Sequence, residues 1–470
     1  MNLGYSEGAE RYRKWSNCVR DTRPLELFDS GPPGTELEWQ SWWFGGAFGR
    51  NFTSRDGLPV RVVQFGHWNR GAGPDFTDAA VEIGGEVRHG CIELDRTARD
   101  WDRHGHGENP AFGSVILHVH GPVEGREEFF TRTHDHRQVT QVELRRGMFR
   151  PGMAVEEPVA EARQGRCEPV LRDMPKTAMH ELLRCAARRR LQAKAARIAR
   201  VAAAHGMEQA HYQGFAETLG YRSNQLAMRV LAQRLPLDEA RSLEPLSREA
   251  WLFGLAGFLR AEQFETGDRE TRGYLKDLWN EWWKARGEWE GCREVPWRGS
   301  GVRPVNHPQR RVAALAAWVG RWADWSRLLP GLRDRGKGLA ENWVDRVETL
   351  VCGLQHPYWD CHYTLTSKRS AARMALVGRD RAADWLGNWL FPMAVEQDGR
   401  QWIEYERLAG CQENEKLRRA KWRLFGEASE AFSGPYWQQQ GLLQIYEDFC
   451  LRDATECATC PMPEQLGQWV

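Results

Sequence analysis

Residues 72–76 read Ala-Gly-Pro-Asp-Phe, and residues 90–95 read Gly-Cys-Ile-Glu-Leu-Asp. Between these stretches, apolar and polar residues alternate on either side of Gly84-Gly85, a pattern typical of two strands joined by a tight turn. In such a hairpin Asp75 stands just before the first strand, and Glu93 stands near the end of the second. The spacing therefore predicts that the two carboxylates meet at one end of a β-sheet.

Carboxylates brought together in this way suit a divalent cation. Mg²⁺ and Mn²⁺ prefer oxygen ligands, and Mg²⁺ keeps several waters when it binds a phosphate substrate. The segment 35–43 has the pattern of a helix ahead of the first strand, and Glu38 on it is a third candidate ligand. The alternative is that Asp75 and Glu93 are solvated acids on a surface hairpin.

Length and composition set wider bounds on the class of protein. A chain of 470 residues with 41% hydrophobic content can form two or three domains with real cores. Its 65 basic and 64 acidic residues nearly cancel, so a site for a polyanion must be local. No apolar run approaches the roughly 20 residues that cross a bilayer, and no export signal opens the chain. We therefore expect a cytoplasmic protein without a membrane partner.

The chain changes character near residue 165. Short β-like runs, separated by Gly and Pro, predict an α/β domain over residues 1–165. Helical periodicity then predicts a helical domain over 166–300 and a second helical region over 301–470. The predicted strands are 60–63, the hairpin, 114–120 and 138–144. The predicted helices include 176–205, 208–219, 224–235, 248–259 and 309–328.

The order of the acidic residues resembles the PD-(D/E)xK nuclease superfamily. In that superfamily a Pro-Asp pair opens one strand and Glu-x-Lys lies on the next, and Pro74-Asp75 and Glu93 fit this order. The resemblance implies an α/β nuclease-like fold in which Asp75 and Glu93 hold Mg²⁺ or Mn²⁺. Asp95 stands at the lysine position, and Arg96 is the nearest cation. Arginine stays protonated at ordinary pH, so it is a poor substitute for lysine in proton transfer.

Histidines follow the second acidic strand. His104 and His106 are candidates for binding a metal or for donating a proton to phosphate, because histidine titrates nearest neutrality. A centre built on them would prefer Zn²⁺ to Mg²⁺ and suit a hydrolase of another substrate. Their neighbouring glycines favour solvated side chains in a turn. His118 and His120 share one face of a predicted strand, which favours a polar sheet surface over the floor of a site.

A second candidate site lies near the end of the sequence. Cys457 and Cys460 form a Cys-x-x-Cys pair, and Cys450 lies seven residues upstream. Clustered sulfur donors bind Zn²⁺ or an iron–sulfur cluster, which would tie down the chain end. The alternative is three ordinary thiols. Candidates for a fourth ligand are Cys411, Cys361, His362 and Cys18.

The strongest local charge feature is the basic run 184–200. Its cations, of which Arg188, Arg189, Arg190 and Lys194 are the central ones, are candidates for gripping the phosphates of DNA or RNA. Apolar residues at helical spacing within the run support an alternative, an amphipathic helix with a solvated basic face.

Over nearly its whole length the sequence resembles a bacterial family known as domain of unknown function 2851. The resemblance runs in order from about residue 25 to residue 463, and it implies a family but no activity. The residues that carry it are Gly66, Asn69, Ala72–Phe76, Glu93, Asp100-Trp101, His104, His106, Val115–Val119, Leu219–Tyr221, Asn224, Leu235-Pro236, Leu252–Gly254, Ala256–Phe258, Arg303-Pro304, Asn306, Pro308, Trp359, His362-Tyr363, Cys450, Cys457 and Cys460.

These features favour a nuclease-like protein that hydrolyses phosphodiester bonds in nucleic acid with a divalent metal. Asp75, Glu93, Asp95, Arg96 and His104 are its candidate catalytic residues. The alternative is a catalytically degenerate module of the same fold that binds nucleic acid or protein, and the missing lysine is the argument for it.

Overall fold

The fold is described from a computed structural model of the chain. The described residues are 4–21, 35–69, 73–123, 129–149, 164–289, 295, 297–298, 302–332, 342–411, 415–427, 434–450, 457 and 460–469. Ala72 of the quoted stretch and the predicted boundary at 300 lie outside them.

A mixed sheet forms the N-terminal part. Its strands are β1 (Asn51–Thr53), β2 (Pro59–Gln64), β3 (His67–Trp68), β4 (Phe76–Ile83), β5 (Glu86–Asp95), β6 (Val115–His120) and β7 (Thr140–Glu143). They are ordered β1-β2-β4-β5-β6-β7, with β3 paired to β4. The strands from β1 to β5 pair antiparallel, whereas β6 runs parallel to β5 and β7 parallel to β6.

Helices make up most of the remaining chain. The N-terminal part contains α1 (Tyr5–Asp21), α2 (Glu36–Phe44) and α3 (Asp100–Arg103). The following helices are α4 (Glu168–Asp173), α5 (Lys176–His205), α6 (Met207–Leu219), α7 (Tyr221–Arg234), α8 (Leu237–Ser242), α9 (Pro245–Leu255), α10 (Ala261–Thr266), α11 (Arg269–Ala285), α12 (Pro308–Gly320), α13 (Trp322–Trp325), α14 (Trp343–Cys352), α15 (Arg379–Trp385), α16 (Phe391–Gln397), α17 (Trp402–Arg407), α18 (Glu415–Phe425), α19 (Tyr436–Phe449) and α20 (Met462–Leu466). A short π-helical turn, Leu386–Leu390, joins α15 to α16.

The predicted hairpin is confirmed. Gly84 and Gly85 have φ angles of 59° and 91°, a left-handed conformation that glycine adopts at little cost, and they turn β4 directly into β5. The parallel pairing of β5 with β6 then sets Glu93 opposite His118 and Asp95 opposite His120. The sheet register therefore places the acidic and the histidine-bearing strands side by side.

Two large apolar cores hold the molecule together. One lies between the sheet and α2, where Trp39 and Trp43 are fully buried, and it also includes Val230 of α7. The other runs through the helices on both sides of residue 300. Although α1 precedes the sheet in sequence, its Tyr12 and Trp15 pack into this second core. The mixed α/β N-terminal part and the mostly helical remainder thus agree with the coarse fold class, while the likeness of the N-terminal part to PD-(D/E)xK nucleases stays a prediction.

Within the described part of the chain, no helix combines the length and the apolar character needed to cross a membrane.

Candidate metal centre

Asp75 and Glu93 meet at the end of the sheet, as the sequence spacing predicts. The backbone N–H of Asp75 donates to Glu93 Oε2 at 2.8 Å. The Asp75 carboxylate accepts from the backbone N–H of Leu94 at 3.1 Å and from Gln40 Nε2 of α2 at 2.8 Å. These bonds fix the start of β4 against the end of β5. The role of both acids as metal ligands stays a prediction.

Asp95 lies two residues beyond Glu93 and is only 1% exposed. Its Oδ1 is 3.2 Å from Nδ1 of His104, and its Oδ2 is 3.2 Å from Nε2 of His118. A buried carboxylate is stable only when charged partners, hydrogen bonds or a metal compensate for its lost hydration. Asp95 is therefore the central acid of a histidine-lined site.

The turn after α3 brings two histidines to the carboxylates. The backbone N–H of His104 donates to Asp100 O at 2.8 Å, and that of His106 donates to Trp101 O at 2.9 Å. The His106 ring stacks on Phe112 with 4.0 Å between centroids, and its Nε2 is 3.2 Å from Glu93 Oε1. Backbone hydrogen bonds and ring stacking thus hold this turn in place. The neighbouring glycines had favoured solvated histidine side chains, but both rings lie close to the carboxylates.

Asp95, His104 and His106 form the tightest group of potential ligands. Among the described residues, they are the set of three for which one ligand atom from each residue lies within 4.8 Å of the others. His104 is 33% exposed and His106 is 13% exposed, so the group opens towards solvent on the His104 side.

His118 and His120 form the floor of this site. Both are fully buried, so the favoured expectation of a polar sheet surface is wrong for this pair. His118 Nδ1 lies 2.6 Å from Thr131 Oγ1, which also accepts from Gln141 Nε2 at 2.7 Å. The alternation of residues along β6 correctly predicted that His118 and His120 share one face of the strand. Whether that face is covered depends on the segment carrying Thr131, which lies outside β6.

The protonation state of His120 follows from its surroundings. Its Nδ1 lies 2.8 Å from Gly121 O, and since a carbonyl can only accept, Nδ1 carries the hydrogen. Burial, followed by the neighbouring His118, lowers the pKa of His120 to about 4. The ring is therefore neutral at pH 7, and its Nε2 presents a lone pair, the form in which imidazole binds a metal.

Three polar atoms at this point are buried without a hydrogen bond to any described residue: Asp95 Oδ2, His118 Nε2 and His120 Nε2. The first two are close but not aligned for a hydrogen bond. Buried polar atoms are nearly always paired, and unpaired ones that converge suggest a ligand or ion. Imidazoles with one carboxylate suit borderline ions such as Zn²⁺ or Fe²⁺ better than Mg²⁺.

Other predicted site residues have different contacts. Glu38 accepts a hydrogen bond from the N–H of Thr35, and Thr35 Oγ1 accepts one from the N–H of Glu38, which completes the capping box of α2. In its place, Gln40 is the α2 residue that reaches Asp75. Arg96 is exposed directly after Asp95, and its guanidinium lies 5.6 Å from the centre of the Trp39 ring.

The basic residues of α5 are engaged inside the helical part. Arg188 is 5% exposed and lies over the ring of Trp402. Arg190 forms an ion pair with Glu447, and Lys194 donates to Asn388 Oδ1 at 2.6 Å. Arg189 is partly exposed. Nucleic-acid binding by this helix stays a prediction, with most of its central cations already paired or buried.

The three C-terminal cysteines lie together, and a fourth cysteine joins them. Cys450, Cys457, Cys460 and Cys167 line one cavity. Cys411 was one of the fourth ligands predicted from the sequence. It lies outside this cavity, with its Sγ 3.9 Å from Asp380 O. Cys167 was not among the predicted fourth ligands. Its position just past the predicted domain boundary at 165 is the one sequence feature that sets it apart.

The fold and the site together define a mixed α/β and helical protein with a histidine–carboxylate centre suited to a metal ion. The chain belongs to the family described as "Protein of unknown function (DUF2851)", which matches residues 39–408. No curated protein and no solved structure matches the sequence.

Proposed function

We propose that the protein is a metal-dependent hydrolase of phosphodiester bonds, with a metal ion bound at the end of β5. The observation that carries this proposal is the convergence of Asp95, His118 and His120, whose atoms Oδ2, Nε2 and Nε2 are buried without a hydrogen bond, the first two 3.2 Å apart. His104 and His106 stand on the open side of the same carboxylate, where a substrate could approach the ion.

The phosphodiester assignment rests on the arrangement of Asp75 and Glu93. Asp75 directly precedes β4, Glu93 lies on the adjacent β5, and the two are hydrogen-bonded. This is the order in which the PD-(D/E)xK nucleases carry their acids. Nucleic acid is the substrate class implied by that resemblance, and the choice between DNA and RNA is left to experiment.

A bound metal would supply the chemistry that this arrangement needs. A Lewis-acidic ion lowers the pKa of its water towards neutrality and stabilises charge on a phosphoryl oxygen. Among the histidines at Asp95, His104 is the most exposed and is placed to exchange protons with solvent. Arg96 is exposed directly after Asp95, and in this proposal it would face a phosphate as a fixed positive charge.

The test is cleavage of labelled single- and double-stranded DNA and RNA with Mg²⁺, Mn²⁺, Zn²⁺ or chelator. We compare wild type with Asp95→Asn, Glu93→Gln and the matched control Asp102→Asn, which alters an exposed acid of α3. Metal-dependent cleavage should disappear in the first two variants and persist in the control. Cleavage that survives both site substitutions would contradict the proposal.

The alternative candidate is a binding module without catalysis. It is favoured by one observation, the acid at the position where the nucleases carry lysine. It predicts that the protein binds labelled nucleic acid but does not cleave it in the presence of any of these metal ions. It also predicts that Asp95→Asn leaves this binding unchanged.

A further inference from the structure

A cavity apart from the sheet site brings Cys167 together with three cysteines from the last part of the sequence. Cys167 precedes α4 and Cys450 follows α19, and these two are 6% and 7% exposed. Cys457 and Cys460 are partly exposed and complete the wall. The ten described cysteines form no disulfide, so all four sulfurs are present as thiol groups.

Two of the four sulfurs accept a hydrogen bond from a neighbouring arginine. The backbone N–H of Arg166 donates to Cys457 Sγ at 3.5 Å, and the Arg166 side chain donates to Cys460 O at 3.0 Å. Arg423, only 2% exposed, donates to the Cys450 sulfur. Such second-sphere donors orient thiolate ligands and stabilise their charge.

The two inner cysteines, Cys167 and Cys450, are buried, yet their side chains line the same cavity as Cys457 and Cys460. Clustered sulfur donors of this kind are the ligands of zinc and iron–sulfur centres, so a metal centre explains why these four side chains are gathered.

We propose that Cys167, Cys450, Cys457 and Cys460 bind an iron–sulfur cluster. Around a single Zn²⁺, four sulfurs at bonds of about 2.3 Å stand only about 3.8 Å from one another. Among the described residues, no three of these sulfurs lie within 4.8 Å of one another. A cluster of several irons with bridging sulfides holds its thiolates farther apart and fits this wider spacing.

The cluster would cross-link distant parts of the chain. Arg166 and Cys457, which contact each other at the cavity, are 291 residues apart in sequence. Closing so long a loop with metal–sulfur bonds restricts the unfolded chain and anchors a terminus that otherwise tends to fray. This role does not depend on the activity proposed for the sheet site.

The experiment is to purify the full-length protein without oxygen and to measure iron, zinc and acid-labile sulfide, together with visible absorption. Wild type should contain iron and sulfide in matching amounts. Cys457→Ser, a change at a partly exposed position that spares the buried core, should lower both at least several-fold. Cys167→Ser should do the same.

Cys411→Ser is the matched control, because Cys411 was a candidate fourth ligand but lies outside the cavity. It should keep the wild-type iron and sulfide. Stoichiometric zinc without sulfide would overturn the cluster, and so would metal content that Cys457→Ser leaves unchanged. Full iron in a folded Cys167→Ser protein would remove Cys167 from the ligand set.

Discussion

Replacing Asp95 with asparagine should remove metal binding at the sheet site while preserving its shape. Asparagine has nearly the volume of aspartate, so it leaves no cavity, but it supplies no negative charge between His104 and His118. Loss of a supporting residue around a metal typically weakens binding 10- to 100-fold, and we take about 100-fold as a lower bound for a direct ligand.

The stabilisation produced by metal gives the magnitude. At a metal concentration 100 times the Kd, binding to the folded state adds about 2.7 kcal/mol to the free energy of unfolding. If Asp95→Asn weakens binding about 100-fold, the same metal concentration adds only about 0.4 kcal/mol. Urea unfolding with and without Mn²⁺ or Zn²⁺ measures this difference, and calorimetric titration supplies the Kd.

Asp102→Asn is the control for this experiment, since it makes the same substitution at an exposed position of α3. It should retain the full metal-dependent gain. If Asp95→Asn also retains a gain of about 2.7 kcal/mol, Asp95 is not a ligand and the reasoning from its buried, unpaired oxygen is refuted.

Three further predictions concern pH, packing and capping. Burial lowers the pKa of His211 to about 4, whereas in the unfolded chain the ordinary value is near 6.5, so the unfolded state takes up the proton first as pH falls. The free energy of unfolding should therefore fall by about 3 kcal/mol between pH 6.5 and pH 4. In urea unfolding, His211→Gln should remove this part of the pH dependence. Gly214→Ala would place a Cβ 2.0 Å from the Trp389 ring and should cost about 2 kcal/mol or more, whereas Gly273→Ala, with nothing within 4 Å, should gain about 0.5–1 kcal/mol by the same assay. Glu38→Gln should preserve the capping box and leave the metal Kd unchanged in calorimetry; a tenfold weaker Kd would make Glu38 a ligand.

Local patterns in the sequence were sufficient for much of the fold. The predicted helix 176–205 coincides with α5 (Lys176–His205), and the predicted helix 35–43 becomes α2 with Thr35 as its N-cap. The hairpin was predictable because alternation and paired glycines act over a few residues. In contrast, the packing of α1 against the helical core depends on contacts with residues far along the chain, which no local pattern reports.

The candidate site was only partly predictable for the same reason. Adjacent strands brought Asp75 and Glu93 together as their spacing indicated. The burial of His118 required the parallel pairing of β5 with β6 and the loop that carries Thr131, neither of which is encoded by alternation along one strand. The contact between Gln40 and Asp75 likewise depends on how α2 lies on the sheet. The pairing of strands and the packing of α2 on the sheet, rather than residue type, decided which polar groups form the site.

The acid at position 95 need not remove the electrostatic function that lysine has in the nucleases. A divalent ion beside Asp95 would itself bring positive charge to the site, as a lysine ammonium does. His120 is a candidate ligand for it, since its Nε2 is buried without a hydrogen bond. The ion would add a coordinated water, which lysine cannot supply. On this argument the substitution changes how positive charge is brought to the phosphate, and activity should follow the occupancy of the Asp95 site instead of the presence of a lysine.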